Sequence, residues 1–303
     1  MKNIAIIMGG YSSEYKISLI SGNVVYQFLD KTKFNGFRIH IFKEKWVYVD
    51  ANDTEFPIDR NDFSVTVDGK KIIFDCVFNA IHGTPGEDGL MQAYFELLGI
   101  PQTSCDYYQA ALTFNKRDLL SVLKPYGIKT ATSYYLNKGD HIDTSEIVNK
   151  VGLPCFVKPN CGGSSIGTSR VNKAEDLQMA IELALKVDSQ IIIEEFIQGT
   201  EVTCGVIQWQ GQIMALPITE IVSQKEFFDF EAKYQGQSEE ITPARLPQDV
   251  YNQVQRNSEA IYKALDCKGM IRVDYIIRDT NIFVIEVNTT PGFSEASIIP
   301  QQA

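Results

Sequence analysis

The sequence predicts an α/β protein built as three units, and three observations predict it. Apolar strand-like runs alternate with amphipathic helical runs over roughly the first hundred residues, as in a mostly parallel sheet with crossover helices. Strand and helix patterns then recur in two further groups, one over 132–194 and one over 201–288. The length of 303 residues is also more than a single hydrophobic core usually serves.

Taken in order, residues 3–8 read as a strand, and GGYSSE turns into a helix from Glu14 to Leu29 capped by Ser12 or Ser13. Strands follow near 37–42 and 46–49. A hairpin over 63–74 turns at Asp68-Gly69. Strand 76–81 runs into HGTPGEDG, and helix 89–98 is stopped by Gly99 and Pro101. Helical pattern fills 106–125. The second group has strand 132–136, helix 144–150, strands 154–158 and 166–171, helix 174–187 and strand 190–194. In that last helix Leu177, Ala180, Ile181 and Ala184 share a face. The third group has strands 201–208 and 212–218, helix 248–265, and strands 270–277 and 282–288. Between them, 223–246 is polar, aromatic and too long for a plain connector, which marks it as a mobile functional loop.

Composition narrows the function. Apolar residues make up 44% and charged residues 22%, the balance of a globular protein. The net charge of −10 argues against nucleic acid or an anionic membrane as partner, while leaving room for an anion held by a local basic cluster. No pair of the six cysteines is spaced C-x-x-C, so buried reduced thiols are expected rather than a disulfide framework. No apolar run reaches the ~20 residues of a membrane span, and MKNIAIIMGG has too short an apolar run for a signal peptide; a cytoplasmic location is expected.

The segment GMIRVDYIIRDTNIFVIEVNTTPG, residues 269–292, carries the sharpest signal. Its odd positions, Ile271 to Ile277 and Phe283, Ile285 and Val287, are apolar or aromatic. Its even positions include Arg272, Asp274, Arg278, Glu286 and Asn288. Strand side chains alternate, so one face is core and the other polar. A three-residue loop pairing 278 with 282 would set 274 opposite 286 and 272 opposite 288. Two carboxylates and an amide oxygen so placed suit Mg²⁺, a hard ion that leaves positions for substrate phosphates. In VKPNCGGSSIGTSR, residues 157–170, a strand lysine precedes the glycines, the reverse of the usual phosphate-binding loop. That order suits a flap closing over phosphates, in a nucleotide site clamped between two sheets.

These features resemble the ATP-grasp superfamily and, within it, the D-alanine–D-alanine ligases. The resemblance spans the chain in eight ordered blocks: MGGYSSEYKISLISG at 8–22, HGTPGEDG at 82–89, FNKRDLL at 114–120, VKPNCGGSSIG at 157–167, EEFIQGTEVT at 194–203, FFDFEAKY at 227–234, RVD at 272–274 and EVNTTPGFSEAS at 286–297. It implies an ATP-grasp fold: an N-terminal parallel α/β sheet domain (1–112), a central α+β subdomain with the glycine-rich loop (113–197) and a C-terminal α+β subdomain (198–303), the last two clamping ATP. It implies ATP-dependent joining of two D-alanines through an acyl phosphate, for peptidoglycan synthesis, in a homodimer.

By the same resemblance, Lys116 and Lys158 bind ATP phosphates, with Ser165 in the loop beside them and Lys233 reaching the transferred phosphoryl group. Glu194 and the backbone at Ile197 contact adenine, and Glu201 the ribose. Asp274, Glu286 and Asn288 hold one or two Mg²⁺ or Mn²⁺ ions. Glu14 receives the ammonium of the first D-alanine and links to Ser164 and Tyr234. Arg272 and the Gly292 N–H stabilise the tetrahedral intermediate, Ser297 and the Ile298 N–H hold the second carboxylate, and His82 and Glu87 orient that pocket. Cys161, Gly162, Phe228 and Phe230 depart from commoner family choices, and relatives usually continue past Ala303 with a helix. The rival readings are a related carboxylate–amine ligase making D-Ala-D-Ser or D-Ala-D-lactate, a non-catalytic ATP-binding module, and a dinucleotide oxidoreductase. The last lacks G-x-G-x-x-G.

Overall fold

The computed structural model describes residues 1–163, 165–223 and 238–303. Three sheets organise the chain. The first has seven strands in the order β6-β5-β4-β3-β2-β1-β7. Its centre is parallel, with β1 (Lys2–Gly9) between β2 (Phe34–Ile41) and β7 (Cys76–Asn79). Here the expected parallel α/β pattern holds, with helix α1 (Tyr15–Phe28) as the crossover. The rest is antiparallel: β3 (Trp46–Val49), β4 (Glu55–Asp59), β5 (Ser64–Val67) and β6 (Lys70–Ile72). Connections there are too short for parallel crossovers, so the sheet is mixed. The β5–β6 hairpin turns at Asp68 and Gly69 with φ of 49° and 73°, the left-handed pair its tight turn needs.

Helices α2 (Leu90–Leu97), α3 (Tyr107–Phe114) and α4 (Lys116–Leu123) lead out of this unit. Asn115 caps α4 by accepting the Asp118 N–H at 3.0 Å, as an asparagine at that position should. A four-stranded antiparallel sheet follows, in the order β10-β9-β11-β8, from β8 (Ser133–Asn137), β9 (Cys155–Pro159), β10 (Ser169–Val171) and β11 (Gln190–Glu195). It packs on α5 (Thr144–Val151) and α6 (Leu177–Val187), and the predicted face of Leu177, Ala180, Ile181 and Ala184 is buried in that core.

The third sheet is antiparallel, in the order β14-β13-β12-β15-β16. Its strands are β12 (Thr200–Trp209), β13 (Gln212–Ser223), β14 (Ser238–Ile241), β15 (Met270–Arg278) and β16 (Asn281–Asn288), covered by α7 (Gln248–Ala264). A short helix, α8 (Ile298–Gln302), not anticipated from the sequence, lies against β12 and β13. Strand β14 falls inside the stretch expected to be loop. Most of that stretch, 224–237, and with it the expected mobile loop, lies outside the described residues.

The β15–β16 hairpin corrects the expected turn. Arg278 pairs with Asn281, so the loop has two residues, Asp279 and Thr280, with Asp279 at φ 58°. The register then shifts between Asp274 and Tyr275 by a bulge at Ile285, and the expected pairs Asp274–Glu286 and Arg272–Asn288 are restored. Face assignments change between the turn and the bulge. Ile282 and Val284 face the main core, Phe283 joins a small cluster with Ala131, Ile197 and Ile276, and Ile285 lines the cleft.

All six cysteines are free thiols. Among the described residues no helix is long and apolar enough to cross a membrane.

Candidate active site

A cleft of about 1010 Å³ opens between the three sheets. Every predicted site residue within the described residues lines it: Glu14, Lys116, Lys158, Ser165, Glu194, Ile197, Glu201, Arg272, Asp274, Glu286, Asn288, Gly292 and Ser297. Ser164, Lys233 and Tyr234 lie outside the described residues. His82 and Glu87 line the same cleft.

The two lysines arrive from different elements. Lys158 projects from the middle of β9, and its Nζ lies 2.8 Å from Glu194 Oε2 on the neighbouring strand β11. Burial disfavours its charge, but the Glu194 carboxylate, together with Glu286 and Glu201 behind it, outweighs that, and the ammonium is held more firmly than usual. Glu194, expected on adenine, therefore has its carboxylate engaged by Lys158 here. Lys116 opens α4. That end is tied to the glycine-rich loop by Lys116 N–H to the Asn160 carbonyl at 3.2 Å and Arg117 N–H to Asn160 Oδ1 at 2.9 Å. Lys116 Nζ then donates to the Gly162 carbonyl at 2.8 Å and sits 3.6 Å from Glu286 Oε2 on β16.

Around Asp274 the polar quartet is closely knit. Arg272 grips it as a fork, Nε to Oδ1 and Nη2 to Oδ2, both at 2.8 Å. Such bidentate pairs fix geometry as well as charge. Thr203 Oγ1 donates to Oδ1 at 2.6 Å and Asn288 Nδ2 to Oδ2 at 3.2 Å. Thr203 was missed from the sequence, although it shares a strand face with Glu201 two residues earlier and could have been found by parity. The oxygen-only donor set of Asp274, Glu286 and Asn288 fits Mg²⁺ or Mn²⁺, and Arg272 and Lys116 already hold positive charge against both carboxylates. Among the described residues no group of three or more His, Cys, Asp or Glu side chains gathers as a metal cage, and Asp274 and Glu286 are only two. That suits an ion completing its shell with substrate oxygens.

At the N-terminal side, Glu14 ends the turn into α1, where the Ser12 hydroxyl accepts the Glu14 N–H at 3.2 Å and donates to the His82 carbonyl at 2.9 Å. A Cβ placed on Gly163 would stand 2.9 Å from Glu14 Oε2, so the glycine-rich loop lies directly against this carboxylate. Glu87 accepts the Gly83 N–H at 2.7 Å. Burial, with the nearby Glu14 charge second, pushes its pKa up to about 8. Burial lowers His82 to about 4, so it is neutral near pH 7, with Nε2 3.2 Å from Ser21 Oγ. The same hydroxyl accepts the Phe293 N–H at 3.2 Å, tying α1 to the loop after β16. In that loop Ser294 and Ser297 join their hydroxyls at 2.8 Å, and a Cβ on Gly292 would meet Ser297 Oγ at 2.6 Å. Only glycine allows that approach.

The comparisons with known proteins agree with this geometry. A family model described as the D-ala D-ala ligase N-terminus matches residues 3–105, and one described as the D-ala D-ala ligase C-terminus matches 122–303. The chain belongs to the D-alanine–D-alanine ligase family. It is 71% identical over 303 residues to the D-alanine–D-alanine ligase of Flavobacterium johnsoniae, covering all of this chain and 94% of that one. Among solved structures it resembles the VanG D-Ala:D-Ser ligase from Enterococcus faecalis, with a TM-score of 0.87 at 32% identity over 99% of this chain and 94% of that one. It also resembles a Bacillus anthracis D-alanine–D-alanine ligase complexed with ATP, with a TM-score of 0.79 at 31% identity over 100% of this chain and 91% of that one. The fold is accordingly that of the ATP-grasp ligases.

Proposed function

We propose that the protein is an ADP-forming ligase that joins two D-alanines for peptidoglycan precursors, in the cytoplasm and as a homodimer, through units 1–112, 113–197 and 198–303. The observation that carries the reading is the meeting of Lys116 with Glu286 at 3.6 Å, beside the Arg272–Asp274 fork. It brings a lysine from the centre of the chain to the oxygen-rich face at Glu286, which supports a phosphate site beside a metal site.

A carboxylate is a poor electrophile, and its activation requires two anions to meet. Positioning and charge neutralisation are therefore the protein's main work. Glu14 holds the ammonium of the donor D-alanine and aims its carboxylate at the terminal phosphorus of ATP. Lys116, Lys158 and Lys233 draw charge from the phosphates, while Ser165 shapes the loop over them. Ile197 floors the adenine pocket, Glu194 sets the base and Glu201 accepts from the ribose. Asp274, Glu286 and Asn288 would hold Mg²⁺ or Mn²⁺, which when bound neutralises phosphate charge. The carboxylate oxygen bonds to phosphorus as ADP leaves. The acceptor amine, aligned by Ser297 and the Ile298 N–H, then attacks the acyl carbon. Arg272 and the Gly292 N–H face the oxygen that becomes negative, and phosphate departs as the amide forms with loss of a proton. Glu14, Ser164 and Tyr234 link the loops that keep water from the acyl phosphate.

The test is ADP release with ATP and Mg²⁺ against a panel of D- and L-amino acids, D-serine and D-lactate. D-alanine alone should support turnover. Turnover only when D-serine or D-lactate joins D-alanine would assign a related ligase, and turnover indifferent to D-alanine would end the ligase reading.

A further inference from the structure

Helix α8 carries at its start the groups assigned above to the acceptor carboxylate. Its far end is buried. Gln302 is 4% exposed and spends its amide on two neighbouring strands. Its Oε1 accepts the Gly205 N–H at 2.9 Å, and its Nε2 donates to the Thr203 carbonyl at 3.1 Å and the Thr219 hydroxyl at 2.9 Å. Gly205 sits where the β12–β13 register shifts between Cys204 and Val206, and it has no partner in β13. Leu216 and Pro217 of β13 stand opposite this one residue, so the bulge is in β13, and a side chain closes the gap it leaves at Gly205. Across the other edge of β12, Gly205 pairs with Arg272 and Thr203 with Asp274. A Cβ at 205 would lie 2.5 Å from Ile299 Cδ1 and 2.7 Å from Gln302 Oε1, so helix and strand touch with nothing between them.

Resting on the ligase reading, we propose that Gln302 is a positioning residue for the acceptor subsite: it locks the helix that begins at Ser297 to the strand next to Arg272 and Asp274. Helix α8 lies against β12 and β13, with Ile299 4% exposed. Apolar contact through Ile299 would keep it near the sheet but leave its rotation and depth loose. Three directional hydrogen bonds in a buried setting fix both. The acceptor amine is thereby set at a constant distance from the oxyanion donors, and small errors in such distances are costly.

The experiment uses the full chain carrying Gln302→Met, which keeps length and loses the hydrogen bonds. The wild-type protein, assayed beside it for D-alanine-dependent ADP release, tests the ligase reading separately. The expected result is a rise of about tenfold in the Michaelis constant of the acceptor D-alanine, with those of ATP and the donor D-alanine unchanged. Amide exchange at Gly205 should quicken. Thr203→Val, which removes the hydroxyl on Asp274 but keeps the backbone carbonyl, should lower kcat and leave the acceptor constant alone. If Gln302→Met fails to fold, Thr219→Val removes one of the three bonds and should move the same constant by less. An unchanged acceptor constant, or all three constants rising together, overturns the proposal.

Discussion

Gly163→Ala tests the role of Glu14 without touching Glu14. An added Cβ would lie 2.9 Å from Glu14 Oε2, 3.2 Å from Oε1 and 3.4 Å from Cδ, and these are its three nearest neighbours. Ordinary carbon–oxygen contact begins near the last of those distances, so the carboxylate must withdraw by roughly 0.5 Å. Gly163 does not have a positive φ, so alanine adds no backbone strain there. The atoms that yield are the far end of a flexible side chain. Folding should therefore lose less than ~1 kcal/mol, which for a protein of this size is a melting shift of no more than ~4 °C. Function should lose more. A misplacement of about 1 Å near reacting atoms costs about a hundredfold, so half of it implies roughly tenfold in kcat/KM for the donor D-alanine. Coupled ADP-release kinetics over a wide D-alanine range would separate donor and acceptor constants. Gly162→Ala, one residue away with open space around its Cβ, should leave the donor constant in place and so controls for loop stiffening. A normal donor constant in Gly163→Ala, with an unchanged melting curve, would refute the assignment of Glu14 to the ammonium.

Three further outcomes follow from the same geometry. Asp274→Asn keeps shape but removes the charge facing Arg272; kcat/KM should fall at least ~100-fold and the Mg²⁺ midpoint of ADP release should move to higher concentration. An unmoved midpoint would remove Asp274 from the metal set. Lys158→Met strands the Glu194 carboxylate, 6% exposed, without its partner, and should cost about 3 kcal/mol in a denaturant melt as well as weakening ATP binding. Adding Glu194→Gln should recover most of the stability but none of the ATP affinity, and a double variant as unstable as the single one would contradict the pairing. Glu87, raised to about 8 from an ordinary 4.5, favours the protonated form in the folded state. Between those values the native protein binds more protons than the unfolded chain, so this group's contribution to stability falls as pH rises from 4.5 to 8 and is level above that. Glu87→Gln should accordingly melt higher than wild type at pH 9, with the gap closing toward pH 4.5; a gap independent of pH would show that Glu87 is ionised throughout.

The polar face was legible because alternation is local: Arg272, Asp274, Glu286 and Asn288 stand apart by parity alone. The turn was not. A two-residue loop and the bulge at Ile285 together give the pairing that a three-residue loop would have given, and a β-branched residue bears no mark of a bulge. Strand Glu55–Asp59 escaped notice because Pro57 argues against a strand. Yet Pro57 pairs only with Val47 on β3, while β5 pairs only with Ile58 and Asp59, so its missing N–H is not required by a second neighbour. Gln302 gave no signal at all. It bonds to residues 83 to 99 positions away, and a polar residue without a local partner reads as surface until the distant strands it serves are known.

The electrostatics of the cleft bear on how nucleotide and metal would bind. Asp and Glu side chains outnumber Lys and Arg along it, although the proposed substrates bring more negative charge. Each described cation already faces a carboxylate: Lys158 on Glu194, Lys116 on Glu286 and Arg272 on Asp274. Strong pairs like these would be poor receptors if the carboxylates had no other use, since an arriving phosphate would have to win a lysine from its partner. A divalent cation would change that balance. On the proposed function it would be held by Asp274 and Glu286, which would free Lys116 and Arg272 to face phosphate and oxyanion. On that reading the acidity of the site would couple nucleotide binding to metal binding, and ATP affinity should drop steeply when Mg²⁺ is chelated while the protein stays folded. Equal affinity for ATP with and without Mg²⁺, measured by calorimetry, would break this argument.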